Sequence, residues 1–292
     1  MNRVAGHLQY RVRQVRRRVT MARRSRLVVL PPSYPPRLPP VPDGFVTGPP
    51  DFVGVGVQKC GTTWWFHCIS SHPRIHLAGE AWKEIHYFDD YWQHPFRPED
   101  VEGYARYFPR GPGMITGEWT PRYMFDHWAP SLLHRCAPDA RILVLLRDPV
   151  ERYPSGLVQE IHKNDYVSLY RYKNAATTSA ARGLYHQQLR MILRHYPREH
   201  VLVQQYEKLM QDPVSELRRA WAFIGLDFDE EAAAKSIPDR VNVTTHRKDP
   251  LDSNLRQDLI DFYADDLERL LQDFGDSIDP ALWPACAALK IG

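Results

Sequence analysis

The sequence predicts an α/β fold, a central parallel sheet flanked by helices, and three observations carry that expectation. Short apolar runs at Asp51–Val57, Arg141–Leu146 and His200–Tyr206 read as buried strands, because they lack the alternation of a half-exposed strand. Helical stretches lie between and after them, near 63–70, 182–195, 214–224 and 251–274. Strands alternating with helices imply a parallel sheet covered on both faces, and 292 residues fill one such core with a remainder at one end.

Ligands in such sheets sit at the carboxyl ends of strands, so the residues after Val57 and after Leu146 matter most. The first run is followed by Gln58, Lys59, Cys60, Gly61, Thr62 and Thr63, then by a helix. A glycine turn feeding a helix N-terminus aims backbone N–H groups at one spot, and the helix dipole adds positive potential there. Lys59 adds a full charge, and Thr62 and Thr63 add hydroxyl donors, so the segment reads as an anion cradle. The plainer alternative is a tight strand-to-helix turn with an exposed lysine. Two common nucleotide motifs fail here. A P-loop wants its lysine after the second glycine, where Thr62 stands, and a dinucleotide fingerprint beginning at Gly54 and Gly56 meets Lys59 in place of its third glycine.

The second run ends in Arg147, Asp148 and Pro149, with Ser155 eight positions after the arginine. Asp148 is suited to cap a helix that Pro149 opens. A guanidinium and a hydroxyl placed there suit a phosphate dianion; a helix cap beside a surface arginine is the competing reading. Asp212 and Pro213 supply a similar cap and first turn for the helix near 214–224.

Composition divides the chain in two. Its net charge is +3, yet residues 1–26 hold nine arginines and no acid, leaving the remainder at 29 basic against 35 acidic groups. A mildly acidic body is the reverse of a nucleic-acid binder, so no nucleic acid is expected as partner. Val4, Leu8, Val12, Val15 and Val19 recur at helical spacing among these arginines. That pattern suits a helix lying on an anionic membrane surface, an organellar transit segment, or a solvated tail. Pro31, Pro32, Pro35, Pro36, Pro39, Pro40 and Pro42 then predict an extended linker. The expected division is an arm and linker over 1–44 and a single domain over 45–292. Cys60, Cys68, Cys136 and Cys286 show no metal-ligand spacing, so no metal is expected, and no secretory or membrane-spanning run is visible. These features point to a cytoplasmic protein, with surface association to a membrane as an option through the arm.

Taken together, the loop at 58–63 resembles the 5'-phosphosulfate loop of the sulfotransferases that use 3'-phosphoadenosine-5'-phosphosulfate (PAPS), and Arg147 with Ser155 resembles their 3'-phosphate motif. The third part, Gly183, Tyr185, Leu189, Glu207, Leu209, Asp212, Pro213 and Phe223–Leu226, is similar to the C-terminal half of that family. The resemblance implies a P-loop-like, nucleotide-binding sulfotransferase fold. It implies PAPS as co-substrate and its desulfated product PAP, held by Gln58, Lys59, Cys60, Gly61, Thr62, Thr63, Arg147 and Ser155, with Arg247 and Lys248 in a closing basic loop.

Lys83-Glu84-Ile85-His86-Tyr87-Phe88 resembles the K-E-x-H-F-F segment of the glycosaminoglycan-type members. Carried over, Glu84 is the general base and Lys59 the leaving-group stabiliser, with His86 the competing base because its unperturbed pKa suits neutral pH. An extended segment would turn Glu84 and His86 the same way. Glu118-Trp119-Thr120-Pro121-Arg122-Tyr123 is similar to the family's E-K-T-P-x-Y, with Trp119 in the lysine's place; Lys83 or Arg122 would then have to supply that charge. The expected acceptor is a carbohydrate or glycolipid hydroxyl, the alternative a small phenol or alcohol. Trp64, Trp65, Trp82, Tyr87, Trp92, Tyr166, Tyr170 and Tyr172 are candidate stacking residues, and the polar stretch 163–181 reads as an irregular wall of the acceptor site. A magnesium-dependent phosphotransferase and an inactive PAP-binding protein are the rival classes. The sequence does not specify an oligomeric state.

Overall fold

The computed structural model describes residues 38–77, 83–162, 169–237 and 251–290. The N-terminal arm, most of the proline-rich stretch, Trp82, Tyr166, Arg247 and Lys248 lie outside the described residues.

The strands are β1 (Val46–Thr47), β2 (Phe52–Gly56), β3 (Pro109–Arg110), β4 (Gly117–Trp119), β5 (Arg141–Leu146) and β6 (Val201–Gln205). The helices, in chain order, are α1 (Thr62–Ser70), α2 (Pro98–Ala105), α3 (Ala129–Cys136), α4 (Pro149–His162), α5 (Leu169–Ala181), α6 (Tyr185–Ile192), α7 (Tyr206–Gln211), α8 (Pro213–Phe223), α9 (Glu230–Ser236), α10 (Ser253–Phe274) and α11 (Pro284–Leu289). The four main strands run parallel in the order β4-β2-β5-β6, while β1 and β3 form a small antiparallel pair. Every residue of β2 and all but the first of β5 are buried, as their unbroken apolar character requires.

The caps expected from sequence form. Asp148 accepts from the N–H groups of Val150 at 2.8 Å and Glu151 at 3.1 Å, opening α4, and Asp212 accepts from Ser215 at 3.0 Å, opening α8. On α10 the buried residues Leu259, Ile260, Tyr263, Leu267, Leu270 and Phe274 make one helical stripe.

Two expectations are corrected. The wall read as irregular is helical over Leu169–Ala181: its first turns are exposed, with Leu169 and Tyr170 in solvent, so no apolar stripe betrayed it. The helix expected from Arg182 starts at Tyr185, because Gly183 turns tightly against Tyr263; a Cβ there would lie 2.7 Å from that ring. Gly54 and Gly56, which fit neither glycine motif, make room for packing. A Cβ on Gly54 would fall 1.9 Å from the Trp119 ring, its register partner on β4, and one on Gly56 would lie 2.5 Å from the Met124 sulfur.

Candidate functional site

Because β2 and β5 are parallel neighbours, the loop after β2 and Arg147 after β5 emerge side by side; Val57 N–H still donates to Leu145 O at 3.0 Å as the strands end. Lys59 at φ 71° and Gly61 at φ 84° are both left-handed, so the loop folds back into the start of α1. No side chain caps that helix, and its first N–H groups have no intrahelical partner. An anion's oxygens are the natural acceptors for them. The buried Gln58 Oε1 likewise has no partner.

Tyr206, at the start of α7, joins the two halves. A Cβ on Gly61 would meet its ring at 2.9 Å, and the Arg147 guanidinium lies 5.1 Å from the ring centroid. Tyr206, missed by sequence reading, thus packs against both the loop after β2 and the arginine after β5. The Arg147–Asp148 peptide is itself held: Tyr185 OH donates to Arg147 O at 2.8 Å, and Asp148 N–H donates to Glu207 Oε1 at 3.1 Å. Ser155 follows on α4, half-buried. Cys60 turns its side chain into the core, where burial pushes the thiol up to about 12 against the pull of Arg152 and Arg147. Only its backbone is left for the cradle. Thr62 is buried, Thr63 exposed and Lys59 half-buried. The wholly buried Arg152, also missed, donates to Ser179 O while Nε and Nη1 have no partner.

The segment 83–87 is stitched along β4 and the turn that follows it. Trp119 N–H donates to Lys83 O at 2.9 Å, Ile85 N–H to Glu118 Oε2 at 3.3 Å, and Tyr87 N–H to Tyr123 OH at 2.8 Å. Glu118 is wholly buried and takes hydrogen bonds from Tyr104 and Thr120 as well; burial pushes its carboxyl up against those bonds. Glu118 and Tyr123 are therefore scaffolding for the segment that carries Glu84.

Glu84 and His86 do meet, with Oε2 and Nε2 3.2 Å apart, although the chain reaches that geometry through a left-handed His86 (φ 56°) and not through the extended segment expected. Lys83 Nζ binds the other Glu84 oxygen. His86 Nδ1 lies 2.9 Å from Asp89 Oδ2, and Arg122 Nε lies 3.6 Å from the same oxygen and 2.7 Å from Asp126 Oδ2. Charges alternate along this row. Burial works to raise Glu84, but the His86 hydrogen bond and the Lys83 charge outweigh it and hold the carboxyl at about 2. Burial works to lower His86, but Asp89 and Glu84 outweigh it and hold the imidazolium to about 9. Trp119, in the place of an expected lysine, is wholly buried with its indole N–H on Gly56 O at 3.2 Å. Of the aromatics, Trp65 is core and Tyr87 half-buried among other rings, whereas Trp92, Tyr170 and Tyr172 are exposed.

Residues 49–257 match the family described as the sulfotransferase domain, and the chain belongs to that family. It is 31% identical over 187 residues to human heparan sulfate glucosamine 3-O-sulfotransferase 6, an alignment covering 61% of this chain and 52% of that protein. The chain thus spans about half the length of the curated relatives it matches. A sulfotransferase from Alicyclobacillus acidocaldarius superposes with a TM-score of 0.60 at 26% identity, covering 80% of this chain and 98% of its own. Sulfotransferase STF9 from Mycobacterium avium shares the fold, with a TM-score of 0.52 at 14% identity over 75% of this chain and 77% of its own. Among the described residues, no helix is long and apolar enough to cross a membrane.

Proposed function

We propose that the chain moves a sulfuryl group from PAPS to an acceptor hydroxyl on a carbohydrate or glycolipid. The observation that carries this reading is the meeting of the phosphate loop and Arg147 over one tyrosine ring, which suits a donor bearing anions at both ends. In this reading Lys59 and the backbone of 58–63 hold the 5'-phosphosulfate, and Arg147 with Ser155 holds the 3'-phosphate. The acceptor oxygen attacks sulfur in line. An O–S bond forms, the bond from sulfur to the bridging oxygen breaks, and PAP leaves with that electron pair beside Lys59. The acceptor's proton passes to Glu84. His86, held protonated at neutral pH by two carboxylates, serves as a cation that orients Glu84 and not as the base. Lys83, anchored beside Trp119, provides the second positive charge near the transferring group. The carbohydrate acceptor is supported by the glycan-type base segment and by what the curated relatives are named for. The activity is assigned to the domain over 45–292.

Titration with PAP and with ATP, each with and without magnesium, tests the donor. PAP binding without magnesium is expected; magnesium-dependent ATP binding with no PAP affinity would reject the reading. Transfer of labelled sulfate from PAPS to a panel of glycans, phenols and alcohols tests the acceptor, and Glu84→Gln and Lys59→Ala are expected to lower it severely, Glu84→Gln by about 10²–10⁴.

A further inference from the structure

We propose that Trp283 is a positioning residue of the donor site, acting on Arg147 through Glu207. The inference rests on the reading of Arg147 as the group that holds the 3'-phosphate. Trp283 lies beyond the segment matched to the family, in the turn before α11, and is wholly buried. Its indole N–H donates to Glu207 Oε2 at 2.7 Å, and the other oxygen of that carboxylate accepts the Asp148 N–H at 3.1 Å. The peptide unit between Arg147 and Asp148 is thereby gripped at both poles, its N–H by Glu207 and its carbonyl by Tyr185 OH. Trp283 touches both grips, since its ring centroid lies 6.1 Å from that of Tyr185.

The same C-terminal segment is fixed at two more points. Ala285 N–H donates to Asp148 Oδ2 at 2.9 Å, and Gln205 at the end of β6 exchanges hydrogen bonds with the Asp279 backbone at 2.7 and 3.0 Å. Asp148 also caps α4, which carries Ser155. Both groups assigned to the 3'-phosphate therefore stand on one brace. Without the indole donor, a buried carboxylate oxygen loses its partner and the carboxylate must move, taking its grip on the arginine's backbone with it. Small displacements of a binding group are costly where geometry is preorganised.

The test uses the full chain and PAP. Trp283→Phe is expected to weaken PAP binding by roughly threefold to thirtyfold and to raise the KM for PAPS alike, leaving the acceptor KM unchanged. Glu207→Gln, which sets an amide NH2 against the indole donor, is expected to act in the same direction. It carries the test should Trp283→Phe not fold, and the double variant is expected to be no worse than the weaker single. Trp221→Phe is the control: it loses an indole bond to Ile69 O, at the end of α1 remote from the loop, and is expected to lower Tm without touching PAP affinity. Folded Trp283→Phe and Glu207→Gln proteins that bind PAP as the wild type does would overturn the proposal. A wild type that binds no PAP would overturn the donor assignment itself.

Discussion

The pairing of Glu84 with His86 makes the identity of the base measurable by pH. Glu84 is held at about 2 and His86 at about 9, so at pH 7 the carboxylate is wholly ionised while about one imidazole in a hundred is neutral. With Glu84 as base, kcat/KM is expected to be flat from pH 5 to 8 and to change only as His86 loses its proton near pH 9. With His86 as base, kcat/KM would instead climb nearly tenfold per pH unit well below the imidazole's pKa, gaining roughly fiftyfold between pH 7 and 9. The assay is sulfate transfer from labelled PAPS at subsaturating acceptor, run on wild type, Glu84→Gln and His86→Asn. Glu84→Gln is expected to lose about 10²–10⁴ in kcat at all pH values, and His86→Asn to keep a flat profile at reduced rate. A steep rise in the wild type that vanishes in His86→Asn would refute Glu84 as the base.

The remaining expectations concern stability and the donor platform. The raised His86 pKa contributes stability that is complete below pH 6.5 and is lost as pH rises through 9. His86 and Glu84 are each more than a third exposed, while Asp89 is 19% exposed, so solvent screening leaves about 1 kcal/mol or less, measurable as the difference in urea midpoints between wild type and His86→Asn at pH 6 and pH 10. Gly54→Ala is expected to cost about 1–3 kcal/mol or more, since its Cβ would fall 1.9 Å from the Trp119 ring; an unchanged Tm would contradict the packing. Glu118→Leu leaves Tyr104, Thr120 and the Ile85 N–H without their acceptor and is expected to lose about 2–5 kcal/mol in denaturant melts. Tyr206→Leu removes the ring under Arg147 and is expected to weaken PAP binding by about 0.5–2 kcal/mol in calorimetry.

What the sequence made legible was what depends on local pattern. Residues 142–146 are continuous apolar chain between Arg141 and the turn signals that follow, and β5 occupies 141–146 residue for residue. The caps at Asp148 and Asp212 were equally local. β4 escaped notice because it is three residues long and its centre, Glu118, reads as polar; the donors that let a carboxylate sit there come from Tyr104, Thr120 and Ile85, separated in sequence. Tyr206 and Trp283 were unreadable for a different reason. Their roles arise only once the strand order brings β6 and the C-terminal turn against the tip of β5. Lysine is also an unusual residue at positive φ, so the backbone of Lys59 had no signature in composition. The row Lys83–Glu84–His86–Asp89 is visible in the sequence but for its last member: Lys83, Glu84 and His86 stand out, but Asp89 does not, and it is Asp89 that helps keep the imidazole charged.

The plug formed by Trp119 over Gly54 ties the two positions to each other. Replacing the indole by a lysine alone would vacate the space above a bare glycine and strand an ammonium in the interior. Enlarging the glycine first would collide with the indole. Neither position can therefore be altered in that way by a single substitution without loss of packing.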